Sequence, residues 1–205
     1  MTDVVPSLPL EAEIDLAVST LELYDLEVTG PRGDFDQVVA IAEREARAGQ
    51  VGDIGPARAL YRRFGLDPTR HRPSSEALLR RLRRGEPFPR VNSLVDVANV
   101  VSLRLQVPVG LYDLDQVRGR LRLRLGREQE GYLGIRRGHV DVSGRICVAD
   151  DLGPCGNPSA DSARTMITTA TRRAAWVFFL PVAESVLSLT GELIARYGRG
   201  QVRRR

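Results

Sequence analysis

The stretch VNSLVDVANVVSLRLQVPVGLYDLDQVRG, residues 91–119, decides how the rest of the chain is read. Leu94, Val95, Val97, Ala98, Val100, Val101, Leu103 and Leu105 leave almost no polar side, which predicts a buried helix over residues 93–106. Ser93 followed by Asp96 is a capping pattern for its start. Val107-Pro108 ends it, because proline disfavours helical backbone at the residue before it. The helix keeps one narrow polar stripe, Asp96, Asn99, Ser102 and Gln106. Such a stripe on a buried helix has to meet water, a partner or a pocket. Asp113 and Asp115 follow beside an expected turn, and Asp150 and Asp151 end a later strand. Carboxylates there can be catalytic, although aspartate in turns more often bonds its own backbone.

Upstream, residues 10–30 read as a strand pair or extended segment, and Asp34 to Ala48 and Gly52 to Gly65 as helices. Pro73 starts a third helix with an apolar stripe of Ala77, Leu78 and Leu82. Its other face carries Arg80, Arg81, Arg83 and Arg84, and Gly85 stops it. That face is either a solvated helix side or an edge that grips phosphates. Downstream, Leu121, Leu123 and Leu125 alternate with Arg120, Arg122 and Arg124, a half-buried strand with arginines on the wet side. Residues 146–149 make another strand, residues 152–165 a Gly/Pro/Asn/Ser loop, and residues 166–171 and 174–180 two more strands. Glu184 to Tyr197 is a last amphipathic helix, and RGRGQVRRR a basic disordered tail.

The 205 residues suit one domain with an added part, and 42 % hydrophobic content is enough for a core. All 30 basic residues are arginine, so lysine chemistry is excluded: no phosphate-loop, Schiff-base or kinase lysine exists. Arginine instead offers planar bidentate donors for phosphates and faces that stack on bases. The net charge of +4 permits a nucleic-acid partner without requiring one. His71, His139, Cys147 and Cys155 share no ligand spacing, so no metal is expected, and no GxSxG elbow is present. Without a membrane-length apolar run or a secretory leader pattern, and with two cysteines, the chain reads as cytoplasmic.

Residues 91–119 resemble the B3/B4 domain of the phenylalanyl-tRNA synthetase beta subunit. That domain carries a helix of the form VVDITNYV, a GQP-type turn, a HAFD-type segment and an LDK-and-glycine strand entry. Leu94 to Val101 match the helix, Val107-Pro108 the turn, Gly110 to Asp113 the next segment, and Leu114, Asp115 and Gly119 the strand entry. The helix LLRRLRRGEPFPR and the strands RLRLRL and ICVADD extend the likeness over about residues 58–180. SSEALLRRL with NSLVDVANVVSL looks closer to standalone proteins built from this one domain.

The resemblance implies an α+β fold with a β-sandwich-like core of unusual topology flanked by helices. Residues 1–57 would be an N-terminal strand and helix part of the same domain, 58–197 the core and 198–205 the tail. In the synthetase the domain hydrolyses tRNA wrongly charged with tyrosine, because an apolar synthetic pocket cannot firmly reject an added hydroxyl. The expected partner is therefore tRNA or aminoacyl-tRNA, with no cofactor. The family's histidine falls on Gly110 here, and a glutamate expected downstream on Thr168. Hydrolysis would then use Asp96, Asn99 and Asp113, with Asn92, Gly110 and Thr168 bordering the substrate. Arg80, Arg81, Arg83, Arg84 and Arg90 would hold RNA. Glycine at 110 would open space for a different amino acid, unless it is only a turn residue. Asp96 and Asn99 have ordinary alternatives in capping and internal hydrogen bonding. A non-catalytic module binding RNA or an amino acid stays open beside the enzyme.

Overall fold

The strand AAWVF, Ala174–Phe178, is buried at every position and alternates its side chains between two cores. A computed structural model describes residues 10–204, so the expectations placed on residues 1–9 and Arg205 lie outside it. In chain order the elements are β1 (Glu11–Ala12), β2 (Ser19–Tyr24), α1 (Asp36–Arg47), α2 (Gly55–Arg63), α3 (Ser74–Arg83) and α4 (Ser93–Leu105). Then come β3 (Val109–Asp113), β4 (Arg122–Leu125), β5 (Gly131–Leu133), β6 (His139–Asp141), β7 (Ile146–Asp150), β8 (Gly153–Asn157) and β9 (Ala160–Asp161). The chain closes with β10 (Ala174–Phe178), α5 (Glu184–Leu193) and β11 (Gln201–Arg204).

One sheet runs β11-β2-β10-β3, a second runs β1-β4-β7-β8-β9, and β5-β6 form a separate hairpin. Trp176 and Phe178 point from β10 into a core shared with Leu21 and Leu23 of β2 and with helices α1, α3 and α4. Val177, on the opposite face, meets Tyr112, Leu121, Leu123, Ile146 and Val148 between the two sheets. The result is three layers, helices on a four-stranded sheet on a five-stranded sheet. This α+β architecture, a sandwich-like core flanked by helices, is the one expected. Each large apolar side chain of this core gains roughly 1.5–3 kcal/mol by leaving water.

Helix α4 is capped by Asn92, whose Oδ1 accepts from the Val95 N–H at 2.9 Å. Ser93 instead accepts from the Thr29 N–H, holding the segment after β2 to the helix start. Gln106 ends the helix in the left-handed conformation, at φ +55°. Gly110 lies within β3, paired with Val177 of β10, and not in a turn.

Four other expectations change. Residues 153–161 form the β8–β9 hairpin, where a loop was expected; glycine, proline and cysteine disguise strands that the neighbouring sheet supports. Residues 166–171 are irregular because the Thr171 and Thr168 hydroxyls accept the backbone N–H groups of Thr168 and Ala170. Residues 201–204 are not a disordered tail but β11, which pairs antiparallel with β2 from Gln201↔Tyr24 to Arg204↔Leu21. Arg124 of β4 is buried under the β5–β6 side, with Glu130 accepting from both its terminal nitrogens at 2.7 Å, while Leu125 is exposed.

Candidate functional site

A cleft of about 960 Å³ opens between the helical layer and the ends of β3, β8 and β9. Helix α4 supplies Val95, Ala98, Asn99 and Ser102 to one wall, and β3 supplies Val109 and Leu111. Ala77, Leu78, Arg81 and Arg84 of α3 face them, and Leu133 to Arg137 of the β5–β6 hairpin form a flap. Mostly apolar walls with a few polar groups are what a small-molecule site requires. The volume is at the upper end of the roughly 300–1,000 Å³ that such sites span.

The acid of this cleft is Asp161, at the end of the β8–β9 hairpin. The hairpin turn is built by Asn157, whose Oδ1 accepts from the Ser159 and Ala160 N–H groups. Across from it, the Leu111 N–H donates to Asp161 Oδ2 at 3.2 Å. The other carboxylate oxygen is buried and has no hydrogen-bond partner among the described residues. Burial pushes the Asp161 carboxyl up to about 7, against the lesser opposing effects of the Leu111 N–H and Tyr112. It therefore exchanges its proton near neutral pH, the range in which a general acid or base works best.

Tyr112 packs beside Asp161 and is fully buried, with its hydroxyl acting on the Asp161 carboxyl. Two glycines give these groups their room. A Cβ at Gly110 would stand 2.3 Å from the Tyr112 hydroxyl oxygen. A Cβ at Gly156 would stand 2.5 Å from Asp161 Oδ1 and 2.9 Å from the Tyr112 ring. A buried carboxyl shifted this far, in the wall of a cleft, marks a candidate functional place.

Of the residues expected at a site, Asn99, Arg81 and Arg84 line the cleft. The Asn99 side chain makes no hydrogen bond among the described residues, so its amide can serve a ligand. Asp96 does not reach the cleft. It is fully buried, accepting from Arg90 Nε and the Val91 N–H, each at 2.7 Å. Arg90 also binds Asp36 and the Arg32 carbonyl, so its guanidinium ties the helices of the domain together. Asp113 accepts from the Thr171 hydroxyl at 2.6 Å and from the Asp115 N–H, and likewise lies away from the cleft. Asn92 stands behind the wall, with its amide donating to the carbonyl of Ile167. Thr168 is occupied in its own turn. Gly110 opens no space, because the Tyr112 hydroxyl fills the position.

On α3, Arg80 donates to the buried Glu76 at 2.9 Å, alongside a bidentate pair from Arg58. Arg83 and Arg84 are exposed, and Arg84 pairs with Glu86 at 2.7 Å. Among the described residues, no group of three or more His, Cys, Asp or Glu could hold a metal ion. Cys147 and Cys155 are buried thiols, and burial pushes both up to about 12, too high for ready thiolate chemistry.

A helix-covered double sheet with an apolar cleft at its layer junction defines an α+β domain with a candidate binding cleft. The model of the B3/4 domain matches residues 56–198, well over half of the sequence. The chain belongs to the B3/4 domain family. It is 36% identical over 64 residues to the phenylalanine–tRNA ligase beta subunit of Bartonella henselae, a match covering 31% of this chain and 8% of that protein. A crystal structure of an N-terminal fragment of the phenylalanyl-tRNA synthetase beta subunit from Pyrococcus horikoshii aligns with 97% of this chain and 53% of its own. That alignment has 12% identity and a TM-score of 0.46. The chain thus spans a small part of the curated relative and about half of the solved fragment. No helix among the described residues is long and apolar enough to cross a membrane.

Proposed function

We propose that this domain binds aminoacyl-tRNA and hydrolyses a mischarged aminoacyl ester in trans. One observation carries the reading: an apolar cleft whose lining holds a single carboxyl, Asp161, with one oxygen buried and its pKa pushed up to about 7 by burial. An aminoacyl ester is already activated, so the reaction needs a placed water and a proton acceptor and no strong nucleophile. In its ionised form Asp161 takes a proton from the water that attacks the ester carbonyl, and returns it to the ribose oxygen as the acyl C–O bond breaks. The free amide of Asn99, on the α4 wall, orients the substrate by hydrogen bonds. Arg81 and Arg84 sit among the cleft residues where the terminal phosphates approach.

A panel of mischarged tRNAs incubated with purified protein tests this. Turnover of one or more, lost in Asp161→Asn and weakened in Asn99→Ala while both variants stay folded, is the expected result. A panel that stays intact removes the hydrolase reading.

A second reading, an amino-acid- or RNA-binding module without turnover, is favoured by one observation. The cleft lining contains no histidine or cysteine, and Asp96 and Asp113 are engaged in internal bonds. Binding of mischarged tRNA without release of amino acid would establish it.

A further inference from the structure

A second cleft, of about 320 Å³, lies on the other side of the β8–β9 turn and shares Ala77, Arg137, Asn157 and Ala160 with the first. Its character is different. Four arginines line it from separate stretches of chain: Arg70 and Arg72 before α3, Arg137 from the β5–β6 hairpin, and Arg145 before β7. His71 lines it as well.

The acidic groups nearby hold Arg70 and Arg72 only loosely, while Arg145 also donates to the Asp141 carbonyl at 3.0 Å and Arg72 to the Thr69 carbonyl at 3.3 Å. Asp67 stands 3.9 Å from Arg70, Glu76 3.7 Å from Arg72 and Asp141 3.3 Å from Arg145. Glu76 is bound more closely by Arg58 and Arg80. Arg137 makes no salt bridge or side-chain hydrogen bond among the described residues, and Arg72 Nε, buried, faces Glu76 without a hydrogen bond. The floor is preformed: the Tyr61 and Ser159 hydroxyls are 2.6 Å apart, Ser159 donates to the Arg72 carbonyl, and the Ser74 N–H donates to the Pro158 carbonyl. Gathered guanidinium forks with donors to spare, over a fixed floor, are complementary to a phosphate's oxygens.

We infer that this second cleft binds a backbone phosphate of a single-stranded RNA whose end enters the first. The shared wall makes the two clefts neighbours along one path, so a chain end seated in the first brings its preceding phosphates to the second. This rests on the proposed function for the choice of RNA, but its test does not use hydrolysis. It also adds a contact that the basic face of α3 does not provide.

His71 reports on the cleft directly. Burial and the charges of Arg145 and Arg70 hold its imidazole below the ordinary histidine value, against the opposing pull of Asp67 and Asp141. An anion among these groups favours the protonated ring and raises its pKa. His139, exposed on β6, is the internal reference.

NMR titration of both histidines at fixed ionic strength, with no added ligand, with inorganic phosphate and with a pentanucleotide RNA, tests the inference. His71 should rise by about one unit with the RNA and by a smaller amount with phosphate, while His139 stays put. Arg137→Ala breaks no internal bond and should lose the His71 response, with pentanucleotide affinity falling about tenfold at low salt. A His71 that follows His139 under every condition overturns the site. A response to inorganic phosphate with none to RNA overturns the assignment to a nucleic-acid strand. A His71 response in a protein that hydrolyses no mischarged tRNA would leave this site standing and remove only the hydrolase.

Discussion

The backbone N–H of Leu111 donates to Oδ2 of Asp161 across 3.2 Å, so strand β3 holds the cleft's acid in place. The bond uses one oxygen and leaves the other buried beside Tyr112. A carboxyl so placed is poorly solvated as an anion, and that cost appears in stability as well as in chemistry.

Asp161→Asn should make the protein more stable above neutral pH. The folded carboxyl keeps its proton up to about 7, whereas the ordinary value is 3.8. Between these values the native state binds more protons than the unfolded chain, so wild-type stability falls as pH rises through the window. Asparagine removes that dependence. In urea unfolding at about pH 8 the variant should exceed wild type by roughly 2–4 kcal/mol, with the advantage shrinking below about pH 4. A constant difference at both pH values would mean that Asp161 does not titrate in this range.

Asp96→Ala should lower stability by about 3 kcal/mol, because it leaves the Arg90 guanidinium and the Val91 N–H without their shared acceptor. Hydrolysis per folded molecule should stay within about twofold of wild type, since Asp96 lies outside the cleft. A double-mutant cycle with Arg90→Ala should give a coupling of at least 1 kcal/mol or so. Loss of turnover in a variant of unchanged stability would return Asp96 to the reaction.

Gly110→Ala should destabilise the fold by about 1–3 kcal/mol, because the new methyl collides with the Tyr112 hydroxyl. Tyr112→Phe removes the colliding atom, so the double variant should recover part of the loss in thermal unfolding. An alanine tolerated without cost would mean that Tyr112 has somewhere else to go.

The arginines of α3 should separate into two kinds. Arg80→Ala should cost about 1–2 kcal/mol in urea unfolding, because it weakens the cluster around buried Glu76. Arg83→Ala and Arg84→Ala should leave stability within about 0.5 kcal/mol of wild type. Each should weaken RNA binding and lower the slope of affinity against salt by about one. Equal RNA losses for Arg80 and Arg83 would show that the whole face is in contact.

Helix α4 was legible because apolar periodicity reports burial directly, and its likeness to the B3/B4 helix carried the fold class. Strand β8 was hidden in Gly153–Asn157, where sequence preference argues for a loop and only pairing with β7 makes a strand, and β9 in turn pairs with β8. Asp161 was missed for the same reason. The Asn157-Pro158 dipeptide was a turn signal that could have drawn attention to the residue just beyond it. Asp96 and Asn99 look alike in sequence as polar positions on one stripe. Only the position of Arg90 shows that the first is locked in an ion pair and the second is free. Gly110 was read as space, but a glycine in a strand also admits a neighbour, and Tyr112 two residues on is that neighbour.

The pairing of β11 with β2 reaches beyond the fold itself. A chain shortened before Gln201 would bare a row of unsatisfied amides and carbonyls along β2, and such a rim recruits its like on other molecules. Expression designs that clip or crowd the carboxyl end therefore invite oligomers and precipitation, and a purification handle is better fused at the amino end.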